Sequence, residues 1–449
     1  MPGTILKEKP LDVAIIGGGI TGVTLALGLH KRGINFTIYE RASSFHEIGA
    51  GIGFTPNAER AMMALDERIH QAFRKVATQN SEDWFRWVDG YNYDRSNPGD
   101  MDEKPIFKLY LGERGFEGCR RSDFLQDLVS HIPEERVKFG KNLDSVTNNG
   151  DDEKLQLNFC DGTVEHTDIV LGCDGIRSRV RQLLVGIDNP AAHPTYTHKY
   201  AFRGLIPMDR ARAVLGDYKV STRFMHLGPD AHALTFPVAL GAVLNVVAFV
   251  TDPSDWTSKD GKLTARATRA EAEAAFSAFG PAVRAVMALL PDELDKWAVF
   301  DTRDHPMPAY HAARGAVGGG RVCVAGDAAH ASAPHHGAGA GCGIEDALVL
   351  ATVMAAAESE VAARGREARA GVLRAALEVY NDVRYERSQW LVDSSRRIGE
   401  LFEWQDPDCG SDPGKLGPEI EWRSRRIWDY DIDAMVVDTL SRFSRRVDG

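Results

Sequence analysis

Asp12-Val13-Ala14-Ile15-Ile16-Gly17-Gly18-Gly19-Ile20-Thr21-Gly22 runs from an apolar, β-prone pentapeptide through a glycine cluster into a helix-prone segment over residues 21–32. A second strand-like run follows at residues 35–39. The order predicts a β-α-β unit whose two strands are parallel. Gly17, Gly19 and Gly22 fit G-x-G-x-x-G at the strand-to-helix junction. Glycine belongs there because a Cβ would keep a pyrophosphate from the backbone, and the helix N-terminus offers unpaired N–H groups and partial positive charge. Glu40 follows Gly17 by 23 residues, at the end of the second strand, where an acid accepts hydrogen bonds from ribose hydroxyls. Strand, helix and acid in register predict a dinucleotide site. The acid disfavours a 2′-phosphate, leaving FAD or NAD, so an NAD dehydrogenase and a flavoprotein both stay open here.

With 449 residues, 43% hydrophobic and 26% charged, the chain suits two or three globular domains rather than a disordered segment. A net charge of −11 without a basic block argues against nucleic acid as partner. The pairs Arg425-Arg426 and Arg445-Arg446 stand among acids and aromatics and read as solvated helix faces. The six cysteines form no C-x-x-C pair, which suits reduced, buried thiols. No run reaches the roughly 18 apolar residues of a membrane span. The first ten residues lack the pattern of a signal or transit peptide, so the expectation is a cytoplasmic protein without membrane partners.

Beyond the first unit, helix and strand signals alternate up to about residue 186, interrupted at 79–104 by a Trp-, Tyr- and Asp-rich excursion. Residues 187–296 change character: runs such as 199–205 and 243–250 predict an antiparallel sheet, with a helix-rich patch at 269–290. A strand at 321–325, a Gly/Ala/His-rich loop and a helix from Ile344 to about Arg364 follow, and the remainder is mostly helical. Trp422, Trp428, Tyr430, Met435 and Leu440 in that remainder suit either a cover for the domain or a homodimer contact.

Three separated segments select the cofactor. Leu171-Gly172-Cys173-Asp174-Gly175 leads into the closely spaced Arg177, Arg179 and Arg181; Val322-Cys323-Val324-Ala325-Gly326-Asp327 ends a strand; Pro334-His335-His336-Gly337-Ala338-Gly339-Ala340 precedes a helix. In this order they resemble the group A flavoprotein monooxygenases of the p-hydroxybenzoate and salicylate hydroxylase type, over about residues 10–400. The resemblance implies an α/β fold: a Rossmann-type FAD-binding domain (1–78, 105–186 and 297–368), an inserted, mainly antiparallel substrate domain (79–104 and 187–296) and a C-terminal helical region (369–449). It implies that Asp327 binds the flavin ribityl chain, and that the loop 337–343, with Gly339 and Ala340, brings backbone N–H groups to the isoalloxazine edge. It further implies that Asp174 contributes to FAD and nicotinamide contacts, that Arg121 lies near the FAD phosphates, and that Gly53, in Gly49-Ala50-Gly51-Ile52-Gly53, contacts the cofactor through its backbone. NADPH or NADH is then the co-substrate without a nicotinamide domain of its own. His330, His335 and His336 match no zinc spacing, so no metal is expected.

A narrower resemblance is to fungal polyketide-pathway monooxygenases that hydroxylate and dearomatise resorcinol-type aldehydes. It is carried by Arg86-Trp87-Val88-Asp89-Gly90, Arg114-Gly115-Phe116-Glu117, Phe202-Arg203-Gly204-Leu205 and Val392-Asp393-Ser394-Ser395-Arg396-Arg397. It implies that Arg203 binds the substrate phenolate. A flavin hydroperoxide is an electrophile, and ionising a phenol is the direct way to enrich the ring it attacks. The family's second phenolate ligand, a tyrosine, is absent: Phe236 stands there, and Phe116 holds the alternative tyrosine position. Phe236 is then a pocket residue, and His226 or His232 becomes the candidate helper to Arg203. The runner-up is a decarboxylating, salicylate-type hydroxylase. A flavin halogenase is suggested only by Trp84-Phe85-Arg86-Trp87, and a non-catalytic dinucleotide-binding protein is the remote alternative.

Overall fold

The computed structural model describes residues 11–45, 51–112, 115–257 and 262–448; Gly49, Ala50 and Arg114 lie outside them. The first unit is β1 (Asp12–Ile16), α1 (Ile20–Lys31) and β2 (Asn35–Tyr39), with β1 and β2 parallel from Asp12↔Asn35 to Ile16↔Tyr39. β1 is the centre of a five-stranded parallel sheet. Ile169–Gly172 and then Val322–Val324 lie to one side of it, β2 and then Val137–Lys138 to the other. Val13 to Ile16 are all buried, as expected for a parallel strand covered on both faces.

The long helix Gly339–Arg364 packs on α1 and starts five residues before the predicted Ile344. Glycines 341 and 343 look like loop formers in the sequence but serve close helix packing. A Cβ at Gly343 would lie 2.3 Å from Thr21 Oγ1, and one at Gly341 would lie 2.8 Å from Ala58 Cβ. The predicted loop 337–343 therefore shrinks to its first two residues. This helix is long and apolar enough to cross a membrane, yet most of it is buried inside the protein.

The second layer is an eight-stranded sheet in the order Thr264–Thr268, Glu293–Asp301, Thr195–Pro207, Val243–Thr251, Ala231–Val238, Phe224–Gly228, Trp84–Asp89, Lys104–Tyr110. All neighbours are antiparallel except Phe224–Gly228 against Trp84–Asp89. Two boundaries move accordingly: the excursion placed at 79–104 runs on through Tyr110, and the segment ended at 296 runs on through Asp301.

Strand alternation divides the sheet into two faces. Phe202, Ile206, Val246 and Ala248 point to one side and join a core with Val283 and Met287 of the helix Pro281–Ala288. Arg203, Val247, Leu234 and Met225, aligned across four strands, point the other way. That inner face meets the parallel-sheet layer, where Gly51 N donates to Asn245 Oδ1 at 3.3 Å, and the helix Arg369–Phe402, whose end carries Glu403 against His232. Two further helices, Pro413–Trp428 and Ile432–Asp448, complete the C-terminal region. Trp428 and Met435 are buried against the chain itself, whereas Trp422 and Leu440 are exposed.

Candidate functional site

At the end of β1, Gly17 adopts φ +104°, and a Cβ there would lie 2.5 Å from Cys173 O. A Cβ at Gly22 would lie 2.0 Å from Gly17 O, so any side chain would lift α1 off the strand. Gly19 meets nothing within 4 Å of its Cβ position. No side chain caps α1 and no acid stands in its first turn. Together these leave a bare, partly positive backbone cradle that fits a pyrophosphate. Glu40 braces it, accepting from Gly18 N at 2.7 Å and Ala42 N at 2.8 Å, and each carboxylate oxygen keeps a lone pair for a hydroxyl.

Asp174 lies under the cradle by its backbone, its Cα 2.8 Å from the Cβ position of Gly17. Its carboxylate is spent within the fold: it accepts from Ser178 Oγ, from Arg179 N at 2.7 Å and from Val180 N at 3.1 Å, capping the helix Arg179–Val185. Burial raises its pKa against these hydrogen bonds. Asp327 is different. It is exposed, and among the described residues no hydrogen bond engages its carboxylate. Its Oδ1 lies 4.0 Å from the Cβ position of Gly339, the first residue of the long helix, and Ala340 follows half-buried. The adjoining Gly326 has φ +61°, and its Cβ position falls 2.5 Å from Thr21 Oγ1 in α1. The fold thus gathers α1, Asp327 and the uncapped N-terminus of the long helix around one region.

The corner carrying Asp327 rests on a buried charge network that the sequence reading missed. Asp346 Oδ2 accepts from Gly326 N at 2.9 Å and bonds His330 Nε2, while Oδ1 accepts from Arg384 Nε at 2.7 Å. Glu345 Oε2 pairs with Arg384 at 2.6 Å and Arg387 at 2.7 Å, and Asn57 donates to Oε1. The available signal was Glu345-Asp346 inside an otherwise Gly/Ala/Leu-rich helix, an acidic pair that only cations elsewhere in the chain can compensate. His330, Cys342 and Asp346 offer metal-ligand atoms within 4.8 Å of one another. The Arg384 guanidinium already bonds Asp346 and Cys342, so a cation occupies that cluster.

On the inner face of the large sheet, Arg203 pairs in register with Val247 and Asp295. Asp295 nevertheless pairs with Arg266. Among the described residues no anion meets the Arg203 guanidinium, which lies 5.1 Å from the Trp297 ring. Burial, with the Arg121 cation adding to it, pushes Arg203 down to about 10. Arg121, first residue of the helix Arg121–Val129, therefore acts on the same side as Arg203. Phe236 is buried on this face, its ring against Gly118. Gly53 does not present bare backbone: the Phe116 ring fills its Cβ position, at 2.3 Å, and also approaches Gly337. His226 faces the other side of the sheet, and His232 aligns through Phe249 with Ala201, two residues from Arg203. His226 bonds Glu103 at 2.6 Å and Thr235 at 3.2 Å, and His232 bonds Glu403 at 3.0 Å. The loop histidine His336 bonds Ser394 at 2.9 Å, which gives the 392–397 segment its place behind the loop.

The family model described as "FAD binding domain" matches residues 10–213 and 288–378. FAD-dependent monooxygenase orf3 of Aspergillus niger is 59% identical over 447 residues, covering 99% of both chains. FAD-dependent monooxygenase pigN of Monascus ruber is also 59% identical, over 448 residues and the whole of both chains. Among solved structures, a salicylate hydroxylase substrate complex superposes with a TM-score of 0.80 at 33% identity, covering 96% of this chain and 98% of that one. A glycine cradle with no room for side chains at Gly17 and Gly22, the Asp327 corner and full-length matches lead to one assignment: the chain belongs to the FAD-dependent monooxygenases.

Proposed function

We propose that this enzyme hydroxylates an electron-rich phenolic ring, of the resorcinol-aldehyde type, using NADPH or NADH and O2. The observation that carries the reading is Arg203: a half-buried arginine on the sheet's inner face whose guanidinium meets no anion among the described residues. Such a cation is costly to bury alone. A phenolate compensates it, and charge-assisted hydrogen bonds to that oxygen contribute about 1.5–3 kcal/mol. An ordinary phenol titrates near pH ~10, and a cation within reach lowers this by about 1–3 units. Arg203 thereby holds the substrate deprotonated and electron-rich near neutral pH. The histidines sequence reading offered as helpers are engaged elsewhere, so Arg203 carries the deprotonation. Trp297 keeps its guanidinium in place, and Phe236 shapes the apolar wall without giving a hydroxyl.

When bound, FAD supplies the reduction of O2 and an electrophilic oxygen atom. Gly17, Gly19, Gly22 and the N-terminus of α1 would hold its pyrophosphate and Glu40 its ribose. Asp327 would take the ribityl hydroxyls, and Gly339 and Ala340 would offer N–H groups to the ring edge. Arg121 and Asp174 would line the cofactor's path, Asp174 through backbone rather than carboxylate, while Phe116 stands between it and Gly53. Asp327→Ala is expected to purify pale, with flavin absorbance per protein reduced several-fold; full occupancy would remove Asp327 from the set.

The proposal is tested by offering phenols to the FAD-loaded enzyme with NADPH and following oxidation and product mass. A ring gaining one oxygen while keeping its substituents supports it, and carbon dioxide release supports the second reading. That reading, a salicylate-type decarboxylating hydroxylase, is favoured by the superposed salicylate hydroxylase and by the salicylate hydroxylase asL1 of Sarocladium schorii, 42% identical over 98% of this chain and 93% of that protein. Arg203 serves a carboxylate as readily as a phenolate. Phe236→Tyr restores a hydroxyl beside the ring. It should raise kcat/KM for resorcinol aldehydes about 3- to 10-fold, the worth of one hydrogen bond; no change would point to another substrate class.

A further inference from the structure

A second arginine on the same face has no role in the chemistry described so far. Arg223 is 1% exposed, and its Nε and Nη1 have no hydrogen-bond partner among the described residues. Its guanidinium lies 4.5 Å from the Phe116 ring and 5.5 Å from the Phe85 ring. Phe116 is the ring that fills the space beside Gly53 and Gly337. Burial pushes Arg223 down to about 9, and the opposing charge is Glu117, which is itself paired with Arg74 at 2.6 Å.

Register fixes where Arg223 stands. It directly precedes Phe224, which pairs with Thr235, so Arg223 lies opposite Phe236 on the inner face. The strands of Arg203 and Arg223 are separated by those of Val247 and Leu234. Three strand spacings of about 4.8 Å, with the two-residue offset between Arg223 and Met225, the residue aligned with Arg203, make about 16 Å between their backbones. Two arginine side chains reaching inward from that separation can converge on opposite ends of one substituted ring. The floor between them is apolar, formed by Val247, Leu234 and Phe236.

We infer that Arg223 is a second substrate-binding residue, which receives a carbonyl or enolate oxygen on the side chain of the phenolic substrate while Arg203 holds the ring oxygen. Stacking on two phenylalanines orients the guanidinium plane but satisfies none of its N–H groups. An acyl oxygen accepts from Nε and Nη1, and an enolate compensates the charge as well. The inference rests on the phenolic reading above and adds a requirement on the substituent.

The test is calorimetric titration of the FAD-loaded protein, without turnover, with two resorcinol aldehydes. One carries a 2-oxoalkyl side chain and the other an alkyl chain of the same length. Wild-type protein should bind the 2-oxoalkyl probe more tightly. Arg223→Met should weaken that probe about 10- to 100-fold, as expected for loss of a charge-assisted hydrogen bond, and the alkyl probe less than about 3-fold. Arg223→Lys, which keeps the charge and loses the fork, should fall between. FAD content and thermal midpoint should hold in Arg223→Met, because Glu117, the charge that opposes Arg223, keeps Arg74. Equal wild-type affinity for the two probes, or equal weakening of both in the variants, would overturn the inference while leaving the phenolic reading intact. If neither probe binds wild-type protein, the phenolic reading fails and this inference fails with it.

Discussion

Arg203→Ala is expected to retain its FAD and to lose substrate-stimulated NAD(P)H oxidation about 100- to 1000-fold, the scale of removing one group aimed at developing charge. The expected pattern separates this residue from a structural one. No side chain among the described residues depends on Arg203 for a hydrogen bond or an ion pair, so its removal orphans nothing. Val247 and Trp297 still close the surrounding sheet. The thermal midpoint should therefore stay close to wild type, since only a half-buried charge without a partner is gone. Arg203→Lys should recover little, because an ammonium on a shorter stem lacks the planar fork. In wild-type enzyme the substrate is bound as its anion, so kcat/KM should rise with pH through the pKa of the free phenol. In Arg203→Ala the residual activity should follow that same free pKa in kcat as well, because nothing then shifts it in the complex. Steady-state kinetics between pH 6 and pH ~9, on one phenol acidified by an aldehyde group so that its free pKa falls inside that window, would show this. Undiminished turnover in Arg203→Ala would end its role.

The β-α-β unit was legible because its signals are local. An apolar strand, glycines where Gly17 needs positive φ and Gly22 meets backbone, and Glu40 at the right distance all occur within about thirty residues. The start of the long helix was misjudged for an equally local reason. Gly339, Gly341 and Gly343 weaken helix propensity, and only the tertiary approach of Thr21 and Ala58 shows why they are there. Asp174 illustrates a different limit. A D-G turn before clustered arginines suggests ligand chemistry, yet its carboxylate caps the helix it introduces. Arg203 stood out through its F-R-G setting, but its lack of an anion could not be seen in one dimension. Arg223 sits in an unremarkable Thr-Arg-Phe-Met-His segment, and only strand pairing and burial set it apart. The Glu345–Asp346–Arg384 network joins segments some forty residues apart through helix packing, which no periodicity reveals.

Arg384→Met is expected to destabilise the folded protein by about 3–5 kcal/mol, the cost of leaving buried carboxylates uncompensated. Arg384, Glu345 and Asp346 are all fully buried. Burial alone raises the pKa of each acid. For Glu345 the cations Arg387 and Arg384 outweigh it and hold the group down at about 2; for Asp346, His330 and Arg384 outweigh it and hold the group below the usual carboxylate range. Because the folded values lie below the unfolded ones, these acids stabilise wild-type protein above pH ~4.3. That contribution is lost as pH falls from there through the folded values. In Arg384→Met the sign reverses for the less compensated carboxylate: burial wins, its folded pKa rises above the unfolded one, and acidification relieves the strain. The difference in thermal midpoint between variant and wild type should thus be largest at pH 7–8 and narrow toward pH ~4. Asp346 also holds Gly326 N and His330, and through them the corner that carries Asp327. Arg384→Met should therefore release FAD at temperatures below global unfolding, read as flavin fluorescence rising ahead of the loss of helical signal. Arg384→Lys keeps one positive charge for two acids and should lie between. A midpoint equal to wild type at every pH would mean that solvent or a repacked Arg387 compensates the acids, and that the fold does not hold the flavin corner through this arginine.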